Sequence, residues 1–164
     1  MNLRHLRNVR GFFSDYYLGS VFGRRRGRSV RRTDRAIDTA QARFRRIWER
    51  AEGRADDAAA NRERFIRPLL RDVLGFHLGA GDDRIHPLFV SAQAEQEGER
   101  PLLLAYCGAW EEDLDGGAGR SNPMRRLGEA LARTGLPYGF LISGERIRLV
   151  RAPGEGPRGA YLEA

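Results

Sequence analysis

Ile85-His86-Pro87-Leu88-Phe89-Val90-Ser91-Ala92-Gln93 and Pro101-Leu102-Leu103-Leu104-Ala105-Tyr106-Cys107 are the two runs whose reading decides the fold. Both are apolar and rich in residues that suit a pleated sheet. The polar stretch Glu95-Gln96-Glu97-Gly98-Glu99 between them reads as a turn, so the pair predicts a hairpin. Downstream, Asn122-Pro123 marks a helix start, with Asn at the cap and Pro at the first position. Leu127, Ala130 and Leu131 give that helix a buried side, and Gly135 ends it. Residues 138–142 and 146–150 flank Ser143-Gly144-Glu145 as a second hairpin, and Tyr161-Leu162-Glu163 reads as a final short strand. The chain stops as that strand begins, which suggests a unit truncated from a longer polypeptide.

Upstream, the period changes from 2 to 3.6. Thr33 is placed to cap a helix over 33–52, whose apolar face is Ile37, Ala40, Phe44, Ile47, Trp48 and Ala51. Arg43, Arg46 and Arg50 lie on another face, and Gly53 is placed to stop the helix. A second helix is expected over 56–74, with Phe65, Ile66, Leu69, Leu70, Val73 and Leu74 as a stripe that must be buried. Gly75 is its expected cap, and Pro68 predicts a kink or a restart. Helices, then a hairpin, a helix and more strands describe a single α+β domain over 33–164.

Residues 1–32 read as an arm. Its aromatics Phe12, Phe13, Tyr16, Tyr17 and Phe22 surround a short stretch that Ser14 or Asp15 would cap and Gly23 would end. Such a cluster either stacks on bases or docks on a core. The charge is equally uneven. All 29 basic side chains are arginine, there is no lysine, and the net charge is +7. Residues 1–50 hold 14 arginines and 4 acidic residues, a net of +10, while residues 101–164 are neutral. Arg24, Arg25, Arg26, Arg28, Arg31 and Arg32 crowd into nine positions, a density expected of an exposed loop. Facing phosphate, such a loop gives salt-sensitive, sequence-blind binding, and the arginine fork suits phosphate oxygens.

The absences exclude several chemistries. Without lysine there is no P-loop and no Schiff-base amine. One cysteine, Cys107, excludes a disulfide framework within the chain and a zinc ribbon, and inside an apolar run it reads as a small buried hydrophobe. His5, His77 and His86 lack metal-site spacing. His86 beside Pro87 reads as structural or exposed, not as a base. Ser91 and Ser143 have no recognisable His/Asp pairing. No signal peptide and no membrane-length apolar run is present, so the expectation is a cytoplasmic chain without a membrane partner.

The segments Phe12-Phe13-Ser14-Asp15-Tyr16-Tyr17-Leu18, Phe65-Ile66-Arg67-Pro68-Leu69-Leu70-Arg71-Asp72-Val73-Leu74-Gly75-Phe76 and Tyr138-Gly139-Phe140-Leu141-Ile142-Ser143-Gly144-Glu145-Arg146-Ile147-Arg148-Leu149-Val150 resemble the N-terminal region of type IIG-like restriction–modification and phage-defence adenine-specific DNA methyltransferases. Tyr161-Leu162-Glu163 resembles the strand before their methyltransferase portion. The resemblance implies N-terminal helices followed by a restriction-endonuclease-like mixed sheet with one crossover helix. It also implies duplex DNA as a partner and a methyltransferase domain in cis or in trans. No glycine-rich methyl-donor loop after a strand is found within the chain itself.

That fold's chemistry needs an Asp on the second strand and Glu-x-Lys on the third, to hold a divalent ion and activate water. In the alignment that the resemblance implies, Tyr106 stands at the Glu position and Gly108 at the Lys position. The second strand carries no carboxylate; Asp82 and Asp83 precede it and Glu95 follows. The expectation is therefore a DNA-engaging accessory domain with a degenerate site and no cofactor. Two alternatives remain open: a Mg²⁺-dependent endonuclease rearranged around Asp83, Glu95 and loop 111–115, and a protein-interaction module of a defence complex.

Overall fold

The computed structural model describes residues 7–9, 30–52, 57–117, 121–153 and 161–163. Strand β1 (Arg7–Val9) is followed by helix α1 (Val30–Ala51). Helix α2 opens as Ala58–Asn61 and continues through two π-helical stretches, Arg62–Ile66 and Leu69–Leu74. Then come β2 (His77–Leu78), β3 (Ile85–Phe89), the short helix α3 (Ala92–Gln96) and β4 (Leu103–Cys107). Helix α4 (Pro123–Thr134), β5 (Tyr138–Ile142), β6 (Ile147–Arg151) and β7 (Tyr161–Glu163) complete the α+β fold.

The seven strands form one mixed sheet in the order β1-β7-β6-β5-β4-β3-β2. Its one parallel pairing is β4 with β5, in register Leu104 to Gly139 and Tyr106 to Leu141. A parallel pair needs a crossover, and α4 supplies it. Asn122 caps α4, its side chain accepting from Arg125 N at 2.9 Å, and Gly135 closes it at φ 66°. All other neighbours are antiparallel.

The two helix layers cover opposite sheet faces. On one, α1 and α2 bury Phe65, Ile66, Leu69 and Leu70 against Leu88, Ala105, Cys107 and Ile142. Phe44, Trp48, Phe65 and Trp110 form a connected aromatic cluster there, with Trp48 and Trp110 ring centroids 4.9 Å apart. On the other face, α4 packs Leu127, Ala130 and Leu131 onto Leu104, Tyr106, Leu141 and Val150. Neighbouring β4 residues thus feed different cores, as the period of 2 requires.

Four expectations change. Helix α1 starts at Val30 rather than at Thr33, so Arg31 and Arg32 belong to a helix and not to an exposed loop; arginine is a good helix former and extends it. The sheet takes β1 from the expected arm, because β7 offers it an open edge. The strand expected over 85–93 stops at Phe89. Ser91 caps α3 by accepting from Ala94 N at 3.2 Å, and Ala-Gln-Ala-Glu-Gln favours helix over strand. Strand β2 is too short for its alternation to stand out. The short segment expected over 11–23, Gly53, and Arg24, Arg25, Arg26 and Arg28 lie outside the described residues.

The helix runs on through Pro68, whose backbone is helical at φ −61° and ψ −40°. The backbone widens to five-residue hydrogen bonding before it, with Arg67 N–H reaching Arg62 O, and a second π-helical stretch follows it. Widened turns are a usual way to carry an interrupted hydrogen-bond ladder. Gly75 then caps α2 at φ 77°, where its N–H reaches Leu70 O.

The aromatic cluster makes a direct prediction. Phe65, 1% exposed, is its centre, so Phe65→Ala is expected to lower unfolding free energy by about 3–5 kcal/mol. Urea denaturation followed by tryptophan fluorescence measures it; a loss below about 1 kcal/mol would mean that this core does not hold α1 and α2 to the sheet.

Candidate functional site

Three places gather the functional candidates. The first is the sheet end where β3 begins and β4 finishes. Tyr106 lies on the α4 face of β4, 1% exposed, with the Arg126 guanidinium 5.6 Å from its ring centroid. Its hydroxyl donates to Glu112 Oε1 at 2.7 Å. Glu112 Oε2 accepts from Arg84 Nη1 at 2.7 Å and from Ala109 N at 2.8 Å. Arg84 also carries Asp83, at 3.5 Å, and its backbone N–H donates to Asp82 Oδ1 at 2.9 Å. The guanidinium therefore meets two carboxylates, Glu112 and Asp83, while Asp82 holds the backbone.

Gly108 is buried just beyond β4. A Cβ there would stand 3.1 Å from Ile142 O and 3.2 Å from Glu112 Oε2. A longer side chain at this position meets the very carboxylate that Arg84 and Tyr106 hold. Burial pushes the Tyr106 phenol up to about 12, with the Glu112 hydrogen bond adding to it. Burial alone would raise Glu112, but the donors from Ala109, Tyr106 and Arg84 outweigh it and hold the carboxyl below its ordinary value. Burial likewise pushes the Cys107 thiol up to about 12, which keeps it protonated and unreactive.

Sequence alone suggests that the acidic loop 111–115 presents solvated carboxylates. Instead Glu112 is drawn inward, Leu114 is fully buried, and Asp115 grips Arg148 through two 2.7 Å contacts. Arg148 is 1% exposed, a buried cation on β6 whose partner reaches in from the loop.

The second place is a cleft of about 570 Å³ between α2 and the β2–β3 connection. It brings Asp83 and Glu95 to one wall set, with Asp82, Arg62, Arg67, His77 and His86. Glu95 lies on α3 and accepts from Ala80 N and bonds His77 Nε2, both at 2.8 Å. The Ala80 N–H first, then His77, holds its carboxyl below the ordinary value. Asp83 is 84% exposed. His86 is buried between Arg62, 3.2 Å from Nε2, and Gly79 O, 3.3 Å from Nδ1. Burial lowers its pKa, in keeping with a structural imidazole that accepts from Arg62. Among the described residues no group of three or more His, Cys, Asp or Glu side chains is placed to hold a metal ion.

The third place is α1. Arg43, Arg46 and Arg50 are exposed and recur at near-helical spacing on one flank, while Asp38 and Glu49 share another. Arg43 also donates to Asp72 O at 3.2 Å, tying the flank to the end of α2. Arg31 and Arg32 lie in the first turns of the same helix.

Sequence reasoning does not single out Arg84, Glu112 or Arg148. Arg84 and Glu112 are 28 residues apart, so no local spacing announces the pair. For Arg148 a signal exists: in Ile147-Arg148-Leu149-Val150 it alternates onto the face of Val150, which is buried. Comparison with known protein families, with curated proteins and with solved structures finds no match.

Because the folded Glu112 pKa is lowered, its stabilising effect is complete above the unfolded carboxylate value and is lost as pH falls through the folded one. Glu112→Gln is therefore expected to cost about 1–3 kcal/mol at pH 7, and progressively less below about pH 4. Urea unfolding at pH 7 and at pH 3 tests this, and a pH-independent difference would contradict it.

Proposed function

We propose that the chain is a DNA-engaging accessory domain of a restriction–modification or phage-defence methyltransferase, with a nuclease-like core that has given up catalysis. The observation that carries the DNA part is the arginine flank of α1. Arg43, Arg46 and Arg50 are exposed on the flank of a helix whose apolar face is fixed to the core by Phe44, Ile47, Trp48 and Ala51. Arg32 and Arg35 occupy the same register of the backbone. From Arg32 to Arg50 is five helical turns, about 27 Å, a span that matches several phosphates along a duplex. A row of this kind reads charge and spacing rather than base edges.

The sheet supports the nuclease-like part of the reading. From α2 onward the order is helix, three antiparallel strands with the short α3 between the second and third, crossover helix, and a fourth strand parallel to the third. At the expected third-strand positions stand Tyr106 and Gly108, and the adjoining carboxylate Glu112 is committed to Arg84 and Tyr106. Asp83 and Glu95 share a cleft, but Glu95 is already bonded to Ala80 and His77. Those commitments favour binding over cleavage. The methyltransferase, in cis or in trans, would supply the chemistry.

Fluorescence anisotropy against a short duplex tests the reading. The complex should weaken about ten-fold or more over a few-fold rise in salt. Replacing Arg43, Arg46 and Arg50 with Gln should weaken binding and flatten the salt slope by up to about 0.9 for each phosphate that is no longer neutralised. Replacing Arg24, Arg25, Arg26, Arg28, Arg31 and Arg32 should do the same. Unmeasurable binding at low salt, or unchanged affinity in both variants, would refute it.

A further inference from the structure

Helix α2 carries a further arrangement, on the wall of the cleft that Asp83 and Glu95 share. In an ordinary α-helix, residues five apart point in widely different directions. The π-helical stretch Arg62–Ile66 removes that separation: Arg67 N–H reaches back to Arg62 O, so the two arginines stand one wide turn apart. Each guanidinium is anchored on one edge. Arg62 Nη1 meets Asp83 O and His86 Nε2 at 3.2 Å, and Arg67 Nη1 donates to Leu78 O at 3.1 Å.

Their other edges converge on a single carboxylate. Glu63 Oε1 accepts from Arg62 Nε at 3.2 Å and from Arg67 Nη2 at 3.3 Å, and Oε2 accepts from Arg67 Nε at 3.0 Å. Three donors from two pre-positioned forks thus face one oxyanion, an arrangement that fits phosphate as well as carboxylate. Glu63 is 53% exposed, so little besides this pairing holds it, and an exposed ion pair adds little to stability.

We propose that Arg62 and Arg67 form a phosphate-binding site whose place Glu63 fills in the free protein. The site would take either the backbone phosphate of a nucleic acid or a small phosphate. Only the first choice rests on the DNA reading above. Glu63 is then a built-in competitor: it weakens the site for free phosphate and is displaced when a phosphate is presented.

The test uses the full chain with inorganic phosphate as probe, at constant ionic strength, and reads affinity by titration or by the shift in thermal midpoint. Glu63→Gln is expected to bind phosphate about three- to five-fold more tightly than the unaltered protein. Glu63→Ala, which cannot hydrogen-bond in the carboxylate's place, should do at least as well. Adding Arg67→Gln to either variant should abolish the gain. Equal phosphate affinity with and without Glu63, or a gain that survives Arg67→Gln, overturns the proposal. A parallel titration with duplex DNA separates the sources. Tighter DNA binding by Glu63→Gln identifies backbone phosphate as the ligand. A gain for inorganic phosphate alone leaves the site standing with a small phosphate as its ligand. A chain that ignores DNA altogether refutes the DNA reading, while the phosphate arm still decides this one.

Discussion

Strand β4 lies under α1 and α2 on one face and under α4 on the other, and the rest of the fold answers to that double burial. Leu104, Ala105, Tyr106 and Cys107 are all nearly inaccessible. A strand covered on both faces reads as a continuous apolar run rather than an alternating one, which is why Leu103-Leu104-Ala105-Tyr106-Cys107 announces itself so clearly. Its parallel pairing with β5 demands a crossover, so α4 must lie against it. The same constraint governs its chemistry. An ionised side chain on this strand would need a partner delivered to it, and the sequence places a phenol there instead.

The phenol still has to be satisfied, and its partner brings the next residue with it. Tyr106 bonds Glu112, Glu112 requires a cation, and Arg84 at the mouth of β3 provides it. A second arginine, Arg148, draws Asp115 toward the sheet in the same loop. Two acids of the stretch 111–115, Glu112 and Asp115, are thereby tied to arginines of the body. Arg84 and Arg148 thus hold the loop to the body. Glu111 and Asp113 stay exposed, and α1 carries a run of four exposed arginines, Arg43, Arg45, Arg46 and Arg50.

Much of this was legible in the residues. The helix periods of Phe44, Ile47, Trp48 and of Phe65, Ile66, Leu69, Leu70 located the layer that covers one face. Asn122-Pro123 and Gly135 marked the crossover helix to the residue, because caps are local and have their own chemistry. Strand β7 was visible at Tyr161-Leu162-Glu163, although its pairing with β1 was not, since register between the two ends of the chain leaves no local trace. The helical turn at Ala92–Gln96 is hidden in the sequence because its five residues straddle a strand-like run and a turn-like one. The π-helical path around Pro68 was missed because only the missing N–H is written in the sequence, not how the backbone absorbs it. Within the candidate site, Tyr106 and Gly108 could be read as poor catalysts from residue type alone. That Glu112 and Arg84 would be drawn into their place depended on contacts distant in sequence.

The central claim is that this domain engages duplex DNA without cutting it, and one measurement addresses both halves. Plasmid or a labelled duplex incubated with the protein and Mg²⁺ or Mn²⁺, at low and at raised salt, is resolved on a native gel and then again after removal of protein. The account predicts a retarded complex that fades as salt rises and DNA that is recovered intact. Cleavage that disappears with Asp83→Ala or Glu95→Ala, or DNA that is never retarded at low salt, would contradict it.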